Sequence, residues 1–417
     1  MKQVTCAKCI ACGAETDATP DVGLCPKCGG VMDIRYDYAY IRRSINRQIL
    51  ENRKVFSMWR YREFLPVPAS VSFPKLRVGW SPLYRADTLA ARLGVRTLYI
   101  KDDGLNPTAS LKDRASAMAV AKATEAQAGI IACSSTGNAA SSLAGNAAAA
   151  GFETYIFVPG RAPKSKVAQL LMFGAHVISV QGTYEETFEL SRAAIARYGW
   201  YNRNAAINPY LIEGKKTVAF EIAEQLGWEM PDYIAISVGD GCTIAGLWKG
   251  LTDLYQAGLV DRLPKLLSVQ AAGCCPINRS FESGEPMEPM AEDTIADSIA
   301  VGVPRNPDKA LRAIRESQGA AVDVSDGDML EAMRLLGAYS GVFAEPAGAA
   351  GTAGVKKALE TGVVPHAATV VSVVTGNGLK DADNARKAAG EPISIPPDMD
   401  LLVKALGHIA VPTKPSA

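Results

Sequence analysis

The sequence predicts an α/β protein with mostly parallel sheets, preceded by a short metal-binding module. Three observations carry this. From residue 97 onward, apolar β-branched runs alternate with stretches of helix formers, the pattern of parallel strands covered on both faces. Alanine-rich stretches recur while aromatics make up only 7% of the chain, so the helices are expected to pack closely on the sheets. Five of the nine cysteines fall within the first 28 residues, which sets that segment apart. At 417 residues the chain is long enough for two or three domains with developed cores. A net charge of +1 supplies no global field to recruit nucleic acid or an anionic membrane. The start, Met1 to Cys6, lacks the apolar core of a signal peptide. Gly129 to Phe152 carries no ionised residue, but its Ser, Thr and Asn residues suit a buried strand and helix better than a membrane span. A cytoplasmic protein is expected.

The N-terminal cysteines form two similar knuckles, Cys9-Ile10-Ala11-Cys12-Gly13 and Cys25-Pro26-Lys27-Cys28-Gly29. The glycine after each second cysteine permits the positive φ that such a turn needs. Four thiolates, Cys9, Cys12, Cys25 and Cys28, suit a closed structural Zn2+ site in a segment too short to bury its own core. Disulfides are the bland alternative and a cytoplasmic setting disfavours them. Cys6 is a spare that could compete with Cys9. The segment is not markedly basic, so nucleic acid binding is not expected of it.

Beyond it, Ile41 to Lys54 reads as a charged helix, and the aromatics of Met58 to Pro66 suit a linker docked on a core. Strands are expected at Thr97 to Ile100, Gly129 to Cys133, Thr154 to Val158, His176 to Val180, Tyr233 to Val238, Leu266 to Ala271 and Thr369 to Val374. Helices are expected at Ala115 to Ala128, Asn138 to Ala150, Pro163 to Gly174, Glu185 to Arg197, Gly214 to Leu226 and Thr243 to Gln256. In such a fold, ligands sit in the loops after the carboxyl ends of strands.

Four such loops stand out. Asn106-Pro107-Thr108-Ala109-Ser110-Leu111-Lys112-Asp113-Arg114 sets Lys112 at a strand–loop–helix corner, with Asp113 favouring the helix N-terminus. Partial desolvation there would lower the ammonium pKa and free the amine for Schiff-base chemistry; the bland alternative is a solvated lysine at a helix start. Ser134-Ser135-Thr136-Gly137-Asn138 brings hydroxyls, amides and a helix N-terminus together, which suits a carboxylate or phosphate as well as simple capping. Gly239-Asp240-Gly241-Cys242-Thr243 lets the backbone wrap an anion, with Asp240 expected to turn its carboxylate away. Thr375-Gly376-Asn377-Gly378-Leu379-Lys380-Asp381 follows the last apolar strand. His176, His366 and His408 lie outside every motif, and Cys133, Cys274 and Cys275 read as buried thiols.

The Asn106 to Arg114 string resembles the lysine motif of pyridoxal-phosphate enzymes of the threonine synthase and threonine dehydratase group, with Leu111 where that motif has phenylalanine. The Trp59-Arg60-Tyr61 segment, Trp80-Ser81-Pro82-Leu83, Leu89 to Gly94, Glu345 to Gly351 and the Thr375 to Asp381 string resemble threonine synthase segments in the same order, Asn377 replacing a histidine. The resemblance implies the tryptophan synthase β-like fold: two mostly parallel α/β domains plus a zinc ribbon. Ribbon 1–34, a large cofactor domain 35–112 and 214–417, and a smaller domain 113–213 follow from it. Pyridoxal 5'-phosphate is the implied cofactor, with Lys112 as the Schiff-base lysine and proton carrier. Asn138 and the Gly239, Asp240, Gly241, Cys242 and Thr243 loop are implied to hold the cofactor, Thr375 to contact its pyridine nitrogen, and Ser135, Thr136 and Gly137 to take the carboxylate of a small amino-acid substrate. A homodimer is implied as well.

For threonine synthase chemistry, phosphate leaves Cγ of O-phosphohomoserine and water adds at Cβ. The family holds that phosphate partly with an arginine where this chain has Leu211, with Asn-Ser where it has Ala205-Ala206, and with a threonine where it has Ala139. These departures favour a substrate without a γ-phosphate, or one held in a rearranged pocket by Lys164, Lys166, Arg203 or Lys215. The alternatives are an ammonia-lyase or dehydratase on an unphosphorylated β-hydroxy or β-amino amino acid, and a non-catalytic binding homologue, which the retained Lys112, Asn138 and Thr375 argue against.

Overall fold

The structure, a computed structural model, describes residues 1–160, 162 and 164–407. His408 and the expected helix start at Pro163 lie outside the described residues. A six-stranded sheet runs in the order Ala320–Val324, Lys265–Ala271, Tyr233–Ser237, Thr369–Val374, Thr97–Asp102, Leu83–Arg85. Every pairing is parallel except the last, where the short edge strand turns back on its neighbour. A four-stranded parallel sheet has the order His176–Val180, Glu153–Pro159, Ile130–Ser134, Tyr201–Asn202. The central strands are apolar throughout, as strands buried on both faces must be; Val370, Val371, Val373 and Val374 are all inaccessible. Gly129 to Phe152 forms a strand and a helix, and no described helix is long and apolar enough to cross a membrane.

The alanine-rich helix Lys112–Glu125 lies between the two sheets and is buried on nearly every side. It packs against Asn138–Ala150 on one side and Tyr210–Lys215 on the other. That second approach requires glycine: a Cβ on Gly214 would stand 2.1 Å from the Arg114 carbonyl oxygen. At the same level, Arg114 is wholly buried, its guanidinium donating to Asp103 at 2.7 Å and to Glu221 at 2.5 and 2.8 Å. Glu221 also takes the Lys101 ammonium at 2.7 Å.

Two expected helices differ. Ile41 to Lys54 is two short helices, Tyr38–Ser44 and Arg47–Glu51, because Ile45 and Asn46 are extended and the Asn46 side chain caps the second by accepting from the Ile49 N–H. The helix expected from Gly214 begins at Tyr210 and breaks its ladder at Lys216, where the Thr217 hydroxyl takes the Gly214 carbonyl at 2.7 Å.

The first 36 residues form a three-stranded antiparallel sheet, Glu15–Thr16, Val4–Cys9, Met32–Tyr36. Gly13 and Gly29 take φ of 73° and 71°, so each knuckle closes as its cysteines require.

Candidate active site

The loops after strands Thr97–Asp102, Ile130–Ser134, Tyr233–Ser237 and Thr369–Val374 converge on one cavity of about 410 Å³ with a narrower recess at its floor. Lys112 lies between the two. Its loop is held rigidly: the Asp113 carboxylate accepts from the Thr108 N–H and hydroxyl, both at 2.7 Å, and from Asn146 at 2.8 Å. Asp113 thus pins the turn that precedes its own helix, a larger task than the favourable placement expected of it. Burial pushes its carboxyl up to about 6. Leu111 donates its N–H to the Thr375 carbonyl at 2.9 Å, tying the lysine loop to the last one, and its side chain fills the core.

The Lys112 amine reaches solvent only through the cavity. Burial, and then the nearby Lys215 ammonium, push its pKa down to about 8, with Arg203 adding to the effect and Glu345 opposing it. The recess beneath is lined by Lys215, Ser237, Gly239, Cys242, Thr243 and Thr375. The Thr375 and Ser237 hydroxyls lie 3.2 Å apart at its end. Gly241, at φ 86°, starts helix Cys242–Gln256; a Cβ there would be 2.5 Å from the Asn306 carbonyl oxygen. Glycine there lets the turn pack on Asn306 while the first residues of the helix, Cys242 and Thr243, border the recess with the helix's free N–H groups. Asp240 borders the recess, and its carboxylate accepts from the Arg305 N–H at 2.7 Å and the Cys242 thiol at 3.4 Å. Burial pushes that thiol up to about 11, so it stays protonated.

On the opposite wall, Ser135, Thr136 and Gly137 lead into helix Asn138–Ala150. The Ser135 hydroxyl accepts from the Gly137 N–H at 3.2 Å, while the buried Ser134 hydroxyl has no partner. Asn138 donates to Glu345 at 2.7 Å and Ser298 at 3.2 Å. Glu345 is buried, and burial raises its pKa against the pull of Lys112. Ala139 and Ala205 line the cavity as apolar patches. Leu211 does not reach it: its side chain is packed among Ala115, Val120 and Leu143.

Arg203 borders both the cavity and the recess. It is buried and donates only to serine hydroxyls, to Ser116 at 3.1 Å and to Ser142 at 3.5 Å. At the mouth, the Arg305 guanidinium lies 3.9 Å over the Phe188 ring. Lys166 pairs with Asp297 across the opening. The Lys164 side chain lies outside the described residues. Sequence reasoning reached Arg203 and Lys215 only as spare cations and missed Ser237 and Ser298. Ser237 had a signal, since it ends a strand whose following loop was singled out; Ser298 had none.

A second cluster stands apart. The sulfurs of Cys9, Cys12, Cys25 and Cys28 all lie within 4.8 Å of one another, Cys9 with Cys28 at 3.5 Å and Cys12 with Cys25 at 3.7 Å. A tetrahedron of thiolates about 2.3 Å from a zinc ion has edges of about 3.8 Å. Cys6 is outside the group.

Comparison with known proteins agrees with this architecture. The pattern of the pyridoxal-phosphate dependent enzyme family matches residues 75–376. Threonine synthase of Methanocaldococcus jannaschii is 39% identical over 405 residues, covering 96% of this chain and 99% of that protein. Threonine synthase of Synechocystis is 41% identical over 352 residues, 83% of this chain and 89% of that protein. Among solved structures, diaminopropionate ammonia lyase from Escherichia coli superposes with a TM-score of 0.65 at 20% identity, covering 81% of this chain and 93% of that one. Threonine deaminase isoform 2 from Solanum lycopersicum gives 0.63 at 23%, covering 74% and 87%. These last two speak to the fold alone.

Proposed function

This chain belongs to the pyridoxal-phosphate-dependent enzymes and, within them, to the threonine synthase family, and on that premise we propose that it converts O-phosphohomoserine and water to threonine and phosphate. The observation that supports this most is the convergence of Lys112, Asn138, the Gly239 to Thr243 turn and Thr375, far apart in the chain, on one cavity. The recess fits the cofactor: it has an amine with a lowered pKa, the turn and helix start at Gly239, Cys242 and Thr243 as an anion cradle, and a pair of hydroxyls at the far end. When bound, pyridoxal phosphate supplies an electron sink conjugated to the substrate's Cα.

The residues divide the remaining work. Lys112, whose free amine is half-protonated near pH 8, takes a proton from Cα and one from Cβ as phosphate leaves Cγ. It delivers one to Cγ and returns one to Cα, while the water that adds its hydroxyl at Cβ gives its other proton to the released phosphate. The N–H groups at the start of helix Asn138–Ala150, with the hydroxyls of Ser135 and Thr136, hold the substrate carboxylate. Thr375, with Ser237 beside it, would offer the pyridine nitrogen a neutral hydroxyl, which would leave that nitrogen less protonated than a carboxylate would. Asn138, anchored by Glu345, would hold the cofactor's phenolic oxygen. Arg203 holds the departing γ-phosphate in place of the family's arginine, whose position here is the core residue Leu211. A structural zinc on Cys9, Cys12, Cys25 and Cys28, a smaller domain 113–213 beside the larger, a homodimer and a cytoplasmic setting complete the reading.

A second reading draws on Ala139 and Ala205, which leave the cavity wall apolar where a phosphate would want donors. It is an ammonia-lyase or dehydratase acting on an unphosphorylated β-hydroxy or β-amino acid. Assays of phosphate release from O-phosphohomoserine beside ammonia release from threonine, serine and diaminopropionate separate the two. The first reading expects kcat/KM of about 10⁴ M⁻¹s⁻¹ or more for O-phosphohomoserine. Ammonia release that outpaces it would overturn that choice.

A further inference from the structure

Lys215 is a buried ammonium with no carboxylate within 4.0 Å; Asp240 opposes its charge only from farther away. Every other buried lysine or arginine among the described residues except Arg203 has a carboxylate within 4.0 Å: Arg60, Lys101, Arg114, Lys122, Lys216 and Lys309. Lys215 has neither an ion pair nor a hydrogen bond, and it is only 5% exposed. Its neighbour in the chain makes the contrast plain. Lys216 pairs with Glu213 and with Asp253, both at 2.6 Å, on the far side of the same helix. Lys215 lines the recess, together with Gly239, Cys242 and Thr243. A buried cation left alone is costly unless a ligand compensates it.

Two further facts lie on the same recess. The fifteen-residue helix Cys242–Gln256 begins there, with its free N–H groups and partial positive charge. Asp240 stands in the same turn and contributes a negative charge that a phosphate would feel at close range. A phosphate cradle that contains a carboxylate needs a cation to offset it.

We propose that Lys215 is the counter-charge for the cofactor's phosphate, completing the cradle formed by Gly239, Cys242 and Thr243 and offsetting Asp240. The inference rests on the cofactor reading above and adds to it a residue and a charge balance. Lys215 borders the recess but not the outer cavity, so the phosphate it meets is the cofactor's and not the substrate's. Arg203, which borders both, remains for the substrate.

The test titrates apoenzyme with pyridoxal phosphate and with pyridoxal, which lacks the phosphate, and reads adduct formation by absorbance. Wild type, Lys215→Gln, Lys215→Arg and Asp240→Asn are compared. Loss of one charge-assisted contact should weaken pyridoxal phosphate binding by Lys215→Gln about 10- to 100-fold. Because Lys215 also helps lower the Lys112 pKa, the variant should affect both aldehydes alike through that amine, so the readout is the ratio of pyridoxal phosphate to pyridoxal affinity, which should fall by the same roughly 10- to 100-fold. Lys215→Arg should retain most of the preference for the phosphorylated form, and Asp240→Asn should increase it. A Lys215→Gln protein that keeps the wild-type preference, or loses both aldehydes equally, would overturn the proposal while leaving the cofactor reading intact. Wild-type protein that forms no adduct with either aldehyde would overturn that reading and this proposal with it.

Discussion

Two buried clusters of charge meet along the helix Tyr210–Lys215 and are built on opposite terms. On the ribbon side, Asp33 pairs with Lys249 at 3.0 Å and Lys309 at 3.2 Å. Glu213 pairs with Lys216, and Tyr36 and Tyr38 donate to Glu213 and Asp253 at 2.6 Å. Each charge there has its opposite, supplied jointly by the ribbon strand Met32–Tyr36 and the helices it covers. On the cleft side, Lys112, Lys215 and Arg203 crowd together, with Glu345 as the nearest opposing charge for Lys112. The first cluster is complete in the protein alone and holds the ribbon to the body. The second is complete only with anionic ligands. Pairing, and not burial or composition, separates a structural charge from a functional one here.

The comparison can be broken in four places, taken from the largest effect down. Lys112→Ala should abolish turnover, by about 10³-fold or more, with little change in fold, because its role is chemical. Borohydride reduction and peptide mapping of the wild type should place the label on Lys112; a label on Lys215 would exchange their roles. Metal analysis should find one zinc per chain in the wild type and none in Cys25→Ser, whose stability should fall more than its cleft changes, since four thiolates leave no open coordination position. Equal zinc in both proteins would refute the ribbon site.

The adjacent lysines provide the sharpest contrast. Lys216→Met leaves Glu213 and Asp253 without their cation and should destabilise the protein by about 3–5 kcal/mol in urea melts. Lys215→Met removes an unpaired buried charge and should stabilise the apoenzyme by about 1–2 kcal/mol. Two melts that shift alike would erase the distinction between the clusters. The smallest effect is in pH. Lys112 is protonated and unreactive below its lowered pKa, so cofactor uptake by the apoenzyme should accelerate as pH rises through about 8. Uptake that is flat from pH 7 to 9 would contradict a depressed Lys112.

Much of this molecule is legible in its residues. The alternation of apolar β-branched runs with alanine-rich runs places seven of the ten strands of the two sheets within a few residues, since periodicity and propensity are local properties, while the short strands Leu83–Arg85 and Tyr201–Asn202 and the edge strand Ala320–Val324 go unread. The two cysteine knuckles and the loop strings around Lys112, Asn138, Gly241 and Thr375 are likewise contiguous, so spacing alone is enough to pick them out. Even the misread helix at Ile41 to Lys54 fails for a local reason, a capping Asn46 that competes with helix propensity.

What the chain alone determined, then, is the order of most of its strands, its lysine motif and its four-cysteine cluster. Only the tertiary structure decided which charges are satisfied. Lys215 and Lys216 are identical neighbours in sequence, and one turns to Glu213 and Asp253 while the other turns to the recess. Leu211 packs into the core while Arg203, eight residues earlier, borders the cavity. The physical reason is that pairing depends on distances between residues remote in the chain, and those distances exist only once the sheets have packed.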